Sequence, residues 1–150
     1  MHGVIVVLAW VLAGLCAAAA AVGAWAWWYL RHSRAFWLLV RAGQGAAVLL
    51  AAAAGVAAVT GHAPDDGLFW VYALVPVAVG FFAEQLRIVS AAAVLEARGL
   101  PDTAAVGQLA DEGQRSVVVA VLRRETGVMA LAAAVTVFLA VRAVATAAGL

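Results

Sequence analysis

The stretch VIVVLAWVLAGLCAAAAAVGAWAWWYL, residues 4–30, contains no charged side chain. At about 1.5 Å of rise per helical residue it extends about 40 Å, more than the roughly 30 Å of a bilayer's hydrocarbon core. It reads as a membrane-spanning helix. Three further stretches follow the same pattern, at about residues 35–60, 68–90 and 117–146, the last interrupted near its start by Arg123, Arg124 and Glu125. The expected organisation is a single four-helix transmembrane domain over residues 1–150.

Composition points the same way. The 150 residues are 67% hydrophobic and 11% charged, with a mean hydropathy of +1.06. A soluble domain is about 45–50% apolar and about 25% charged. Nine basic against eight acidic residues leave a net charge of +1, which gives no footprint for nucleic acid. The single cysteine, Cys16, excludes an intrachain disulfide and paired-thiol redox chemistry. Every basic residue is arginine, so lysine Schiff-base chemistry is excluded too.

The first span is expected to remain as an uncleaved anchor. Met1-His2-Gly3 supplies no basic n-region, and the apolar run is longer than a signal peptide's. Leu12-Ala13-Gly14-Leu15-Cys16 places Leu15 where a lipoprotein cleavage box wants a small residue.

Arginine placement sets the expected orientation. Arg31 and Arg34 separate spans one and two, while Arg98, Arg115, Arg123 and Arg124 flank the connection between spans three and four. The connection between spans two and three, residues 61–67, has none. The positive-inside rule then puts the arginine-bearing connections in the cytoplasm and both termini outside, in a multi-pass protein of the plasma membrane. Trp25, Trp27, Trp28, Tyr29, Phe36 and Trp37 at one end, and Phe69, Trp70 and Tyr72 at the other, are expected to be ordinary interfacial anchors.

Small residues recur at fourfold spacing in span two, at Gly43, Ala47, Ala51 and Gly55, with a weaker counterpart in Ala132, Thr136 and Ala140. Small residues let helices approach closely where lipid gives no hydrophobic drive, so span two is expected to be central. Span three should continue as helix past the membrane to Arg98, ended by Gly99 and Pro101. Asp102 should cap a short helix over Thr103–Ala110, with Val106 and Leu109 on one side, Gly113 breaking it and the last helix starting near Gln114. The sequence thus predicts an all-α polytopic membrane protein, a four-helix bundle whose third and fourth spans extend into a cytoplasmic hairpin.

Ionisable residues inside spans are expensive and point to function by default. Arg41 lies about 9 Å into span two with Gln44 a turn deeper. Glu84, Gln85 and Arg87 fall in the last turns of span three, and Arg123, Arg124 and Glu125 at the entry of span four. Three helices are therefore expected to bring charge to one level near the inner leaflet. One reading is a structural lock, with Glu84 paired to Arg87 or Arg41, Glu125 paired likewise, and arginines snorkelling to headgroups. Another is a site for an anionic ligand such as a lipid headgroup, carboxylate or phosphate. The remaining reading is an ion or proton path centred on Glu84. Pro76, with Gly80 a turn later, is placed to kink span three and aim Glu84–Arg87, or is simply tolerated there.

No cofactor or metal site is expected. Bis-histidine haem ligation needs two imidazoles facing one pocket; only His2 with His62 could meet, both expected in flexible segments, with His32 on the other side. A surface metal site of His62 with Asp65 and Asp66 ranks below a solvated acidic loop, and Cys16 reads as packing. No catalytic serine set, zinc-ligand spacing or phosphate loop is present. The leading expectation is a non-catalytic accessory or assembly component, in contact with membrane lipids, holding an anionic lipid or ligand, and associating as a homo-oligomer or within a larger membrane complex. An oligomeric transporter or channel working through Glu84 and Arg41 is the second expectation, and a lipid-modifying enzyme with Glu84 as base the third.

The topology is directly testable. In a Cys16→Ala background, a cysteine at Asp65 should react with an impermeant thiol reagent only from outside the cell. Labelling only from the cytoplasmic side would reverse the assignment.

Overall fold

The structure, a computed structural model, describes residues 2–62 and 66–148, the side chain of His2 excepted. Asp65 and the His2 side chain, which enter the expected loop, metal and haem readings, lie outside the described residues. Five helices follow in order: α1 (His2–Trp28), α2 (Arg34–Val59), α3 (Gly67–Glu96), α4 (Thr103–Gly107) and α5 (Asp111–Ala147). Four of them, all but α4, are long and apolar enough to cross a membrane.

The helix ends follow from local chemistry. The Ser33 hydroxyl accepts from the Phe36 amide at 3.2 Å and opens α2. Asp66 accepts from Leu68 N–H at 2.8 Å and opens α3. Asp102 accepts from Ala105 N–H at 2.8 Å and opens α4, as expected. Gly99 has φ +66°, and Leu100 N–H donates back to the Leu95 carbonyl at 3.0 Å, the glycine closure read from the sequence. Gly113 does not break a helix: it lies within the first turn of α5. The break falls at Ala110, whose ψ is 153°. Gly113 instead leaves room for Leu109, since a methyl there would lie 3.3 Å from Leu109 Cβ.

The long helices form an up-and-down ring in the order α1, α2, α3, α5. Packing is closest between α1 and α5, close between α3 and α5 and between α1 and α2, and loosest along α2 and α3. The most engaged helix is therefore α5, not α2 as the sequence suggested. Its seam of Met129, Ala133, Thr136, Ala140 and Ala143 is buried, and the Thr136 hydroxyl is satisfied within the helix by the Ala132 carbonyl at 2.9 Å. The buried seam of α2 runs through Gly43, Ala46, Ala47, Leu50, Ala54 and Ala57. It leaves the expected fourfold ridge after Ala47, because a step of four residues advances about 40° past a full turn and Gly55 ends about 120° from Gly43. A methyl on Gly55 meets nothing within 4 Å, whereas one on Gly43 lies 3.0 Å from Cys16 Sγ.

The tightest approach is at Gly23, which the sequence reading passed over among the alanines. A methyl there would lie 2.5 Å from Phe36 Cε2 and 2.8 Å from Ala130 Cβ. Phe36 itself is almost fully buried. Around this core the outer faces carry Val7, Trp10, Leu38, Val59, Leu131 and Phe138, all exposed, an arrangement that water would oppose and hydrocarbon accepts.

The third and fifth helices, of 30 and 37 residues, outrun α1 and α2, of 27 and 26. Their projecting ends bury Val94 and Val117. Arg98 closes the hairpin, donating to the Ser116 hydroxyl at 2.8 Å and to the Ser116 carbonyl at 3.3 Å.

Gly23→Ala should lower stability by about 1–3 kcal/mol, the range for overpacking a tight core, while Gly55→Ala should raise it by up to about 1 kcal/mol, the helix-interior advantage of alanine over glycine. Thermal unfolding in detergent measures both. Equal melting temperatures for the two variants would contradict the packing described.

Candidate functional site

The polar residues of α2 and α3 meet on the loosest edge of the bundle, toward the end that carries the α1–α2 turn. Arg41 and Gln44 share a helix face at i, i+3 spacing, and Glu84 and Arg87 do the same on α3. One Glu84 oxygen, Oε1, accepts from Arg41 Nη1 at 2.7 Å and from Gln44 Nε2 at 3.0 Å. The other, Oε2, accepts from Arg87 Nε at 3.1 Å. Arg41 Nη1 also reaches Gln44 Oε1 at 2.8 Å. Glu84 therefore pairs with both of the arginines between which the sequence reading chose. Two guanidinium groups against one carboxylate leave the cluster with a formal surplus of one positive charge. The Arg41 side chain is 55% exposed and the Glu84 side chain 21%, so Arg41 is the member that faces outward. Arg87 is fixed on its far side, its Cζ lying 5.3 Å from the Trp37 ring centroid.

Below this cluster the α2/α3 edge opens into a groove of about 200 Å³, walled by Ala47, Val48, Pro76, Val77, Gly80 and Phe81 and ended by Gln44 and Glu84. Ala47 and Gly80 give the groove its room. Gly80 has no side chain to fill it, and a methyl there would still be 3.6 Å from Gln44 Cγ. Gln44, Ala47, Pro76 and Gly80 also wall a void of about 30 Å³ at the bundle centre, reached by Cys16, Met129 and Thr136 from the other helices. That is space for about two water molecules.

The other expected members do not join. Gln85 is exposed, turned about 100° from Glu84 around α3. Arg124 is exposed, and Glu125 is half-buried without an ion pair among the described residues, so the pairing expected for it is not formed. Arg123 packs on α1, its Cζ 4.7 Å from the Trp27 centroid. The reason is topological: α5 lies diagonally across the ring from α2, so its charges cannot reach Arg41 however well their depths match. The single expected cluster is two separate groups.

The sequence reading took the aromatic residues as anchors and missed their second use. Arg87 on Trp37, Arg123 on Trp27 and Arg142 on Tyr72, the last at 5.6 Å, each tie two different helices together. The available signal was arginine and tryptophan or tyrosine at equal depth on helices that pack together. Gly127 belongs to the same device, since a methyl there would lie 3.1 Å from Trp27 Nε1. No group of three or more His, Cys, Asp or Glu able to hold a metal occurs among the described residues.

Comparison with protein-family models, with curated proteins and with solved structures finds no match to this chain.

Glu84→Gln should lower stability by about 1–3 kcal/mol, because it removes a charged partner from two guanidinium groups. Adding Arg41→Gln should recover part of that loss in a double-mutant cycle measured by thermal unfolding in detergent. Strict additivity would mean that the two residues are not coupled.

Proposed function

We propose that this chain is a non-catalytic component of the cytoplasmic membrane, an accessory or assembly protein that retains an anionic amphiphile along its α2/α3 edge. The headgroup lies against Arg41 at the level of the inner leaflet, and the apolar chain runs down the groove between the two helices. The observation that carries this reading is the continuity of the two parts: an apolar groove ending in a polar cluster with a surplus positive charge. An arginine whose Nη1 is engaged by Gln44 and Glu84 still has donors on Nη2 and Nε for a carboxylate or phosphate. The dispersed use of the remaining charges, in ion pairs and aromatic stacks that join helices, supports a holding role over a chemical one.

A conducting path centred on Glu84 finds less support. The central void has no charged wall, and the α1 helix beside it is uncharged throughout.

The test is native mass spectrometry of the full chain extracted in mild detergent. An acidic amphiphile should remain bound to the wild type. It should be lost both from Arg41→Gln, which removes the headgroup contact, and from Gly80→Leu, which fills the groove. Retention in both variants would overturn the reading.

A further inference from the structure

A second group of arginines, remote from the α2/α3 edge, lies where α1 ends against α5. Arg31 and Arg123 line one narrow cleft there, with Trp27, Leu30 and Thr126. Three features set it apart. First, neither arginine makes an ion pair with a carboxylate among the described residues, both ion pairs being spent on Glu84. Second, Arg123 is already positioned, its Cζ 4.7 Å from the centre of the Trp27 ring. A cation–π contact uses the charge of the guanidinium and leaves its N–H donors to other partners. Third, Thr126 is only 6% exposed and its hydroxyl makes no hydrogen bond to its own helix. Thr136 and Thr146 on the same helix each donate to the carbonyl one turn back, at 2.9 and 3.0 Å. The Thr126 hydroxyl is left for the cleft.

The backbone contributes as well. Leu30 has φ +52°, the only positive φ of a non-glycine residue among those described. Glycine is the usual occupant of such a helix-ending position, and a leucine there is strained. The Arg31 N–H donates to the Ala26 carbonyl at 3.0 Å, which folds the chain back and holds Arg31 at the cleft.

We infer that the Arg31–Arg123 cleft is a phosphate-binding site, and that its ligand is a phosphate ester at headgroup level. The cleft holds about 10 Å³, room for one water-sized group. One phosphate oxygen therefore enters toward Thr126, while the others remain at the mouth between the two guanidinium groups. Two arginines without a counter-charge suit the several acceptor oxygens of a phosphate. The depth suits a phospholipid. Trp25, Trp28 and Tyr29 end the same helix with their rings exposed, the arrangement of an interfacial belt. A soluble phosphate would meet the same groups.

The experiment uses the full chain in detergent, titrated separately with phosphatidylglycerol, phosphatidylcholine and inorganic phosphate, and read by native mass spectrometry and by melting temperature. Phosphatidylglycerol should bind and raise the melting temperature. Arg31→Gln should weaken that binding about tenfold, the size of one charge-assisted hydrogen bond, and Thr126→Val should weaken it several-fold. Neither substitution removes a contact on which folding depends, so both remain readable. In an Arg41→Gln, Gly80→Leu background, which removes the lipid held in the α2/α3 groove, phosphatidylglycerol should still bind and should still be weakened by Arg31→Gln, which separates this site from the groove. Stabilisation by inorganic phosphate that Arg31→Gln abolishes would assign the cleft to a soluble phosphate, and stabilisation by phosphatidylglycerol alone would assign it to lipid. Undiminished binding of every phosphate probe in Arg31→Gln and Thr126→Val would overturn the proposal.

Discussion

A carboxylate placed among lipid-facing helices must have its charge answered, and the α2/α3 edge depends on that constraint. Glu84 takes donors from Arg41, Gln44 and Arg87, so both of its oxygens are occupied. Elsewhere in the bundle small residues set the register by shape. Between α2 and α3 the direct contact is sparse and a groove separates them, so side-chain packing contributes least to register there. The charge cluster supplies what packing does not. A slip of one residue along either helix would move the partner of Glu84 about 1.5 Å along the axis and about 100° around it.

The rest of the ring works on a different principle. At Gly23 the α1 backbone comes close enough to α2 and α5 that no methyl group fits. Gly43 allows the same approach between α1 and α2 next to Cys16. Dispersion between closely packed backbones is the main attraction available in lipid, where apolar side chains gain little by leaving hydrocarbon for one another. The arginine–aromatic stacks add directional ties at the rims, two at the α1–α2 end and one, Arg142 on Tyr72, at the other. The bundle is thus held by close contact from its middle, at Gly43, toward the α1–α2 end, at Gly23, and by oriented charge at its rims.

How much of this was legible in the sequence follows from the range of each signal. The spans were legible because hydropathy is a property of one segment, and the observed α2 differs from the expected 35–60 by one residue at either end. The closures at Gly99 and Asp102 were legible for the same reason: the donor and acceptor sit within a turn of each other. The Arg41–Glu84 contact was legible from depth counted along two helices. What depth cannot give is azimuth and ring order. Arg123, Arg124 and Glu125 have the right depth and the wrong side of the ring, and Gln85 has the right helix and the wrong face. Gly23 and Gly127 were illegible because among so many small residues nothing local marks the two that a neighbouring ring approaches. Thr126 was passed over because its unspent hydroxyl shows only against the bonded hydroxyls of Thr136 and Thr146.

The unequal lengths of the helices have a mechanical consequence. From Asp111 to Ala147, α5 is a continuous rod with no proline in it. Packing against α1 and α3 holds it along its length, and Arg123 and Gly127 seat it against Trp27. Its companion α3 carries Pro76 about a third of the way along, where a missing backbone hydrogen bond makes the helix more compliant. Arg98 rivets the two together at the hairpin through Ser116. A sideways load on the hairpin reaches both helices through that contact, and bending concentrates at Pro76 in α3. The bending falls beside the α2/α3 groove, the part of the ring with the least packing to resist it.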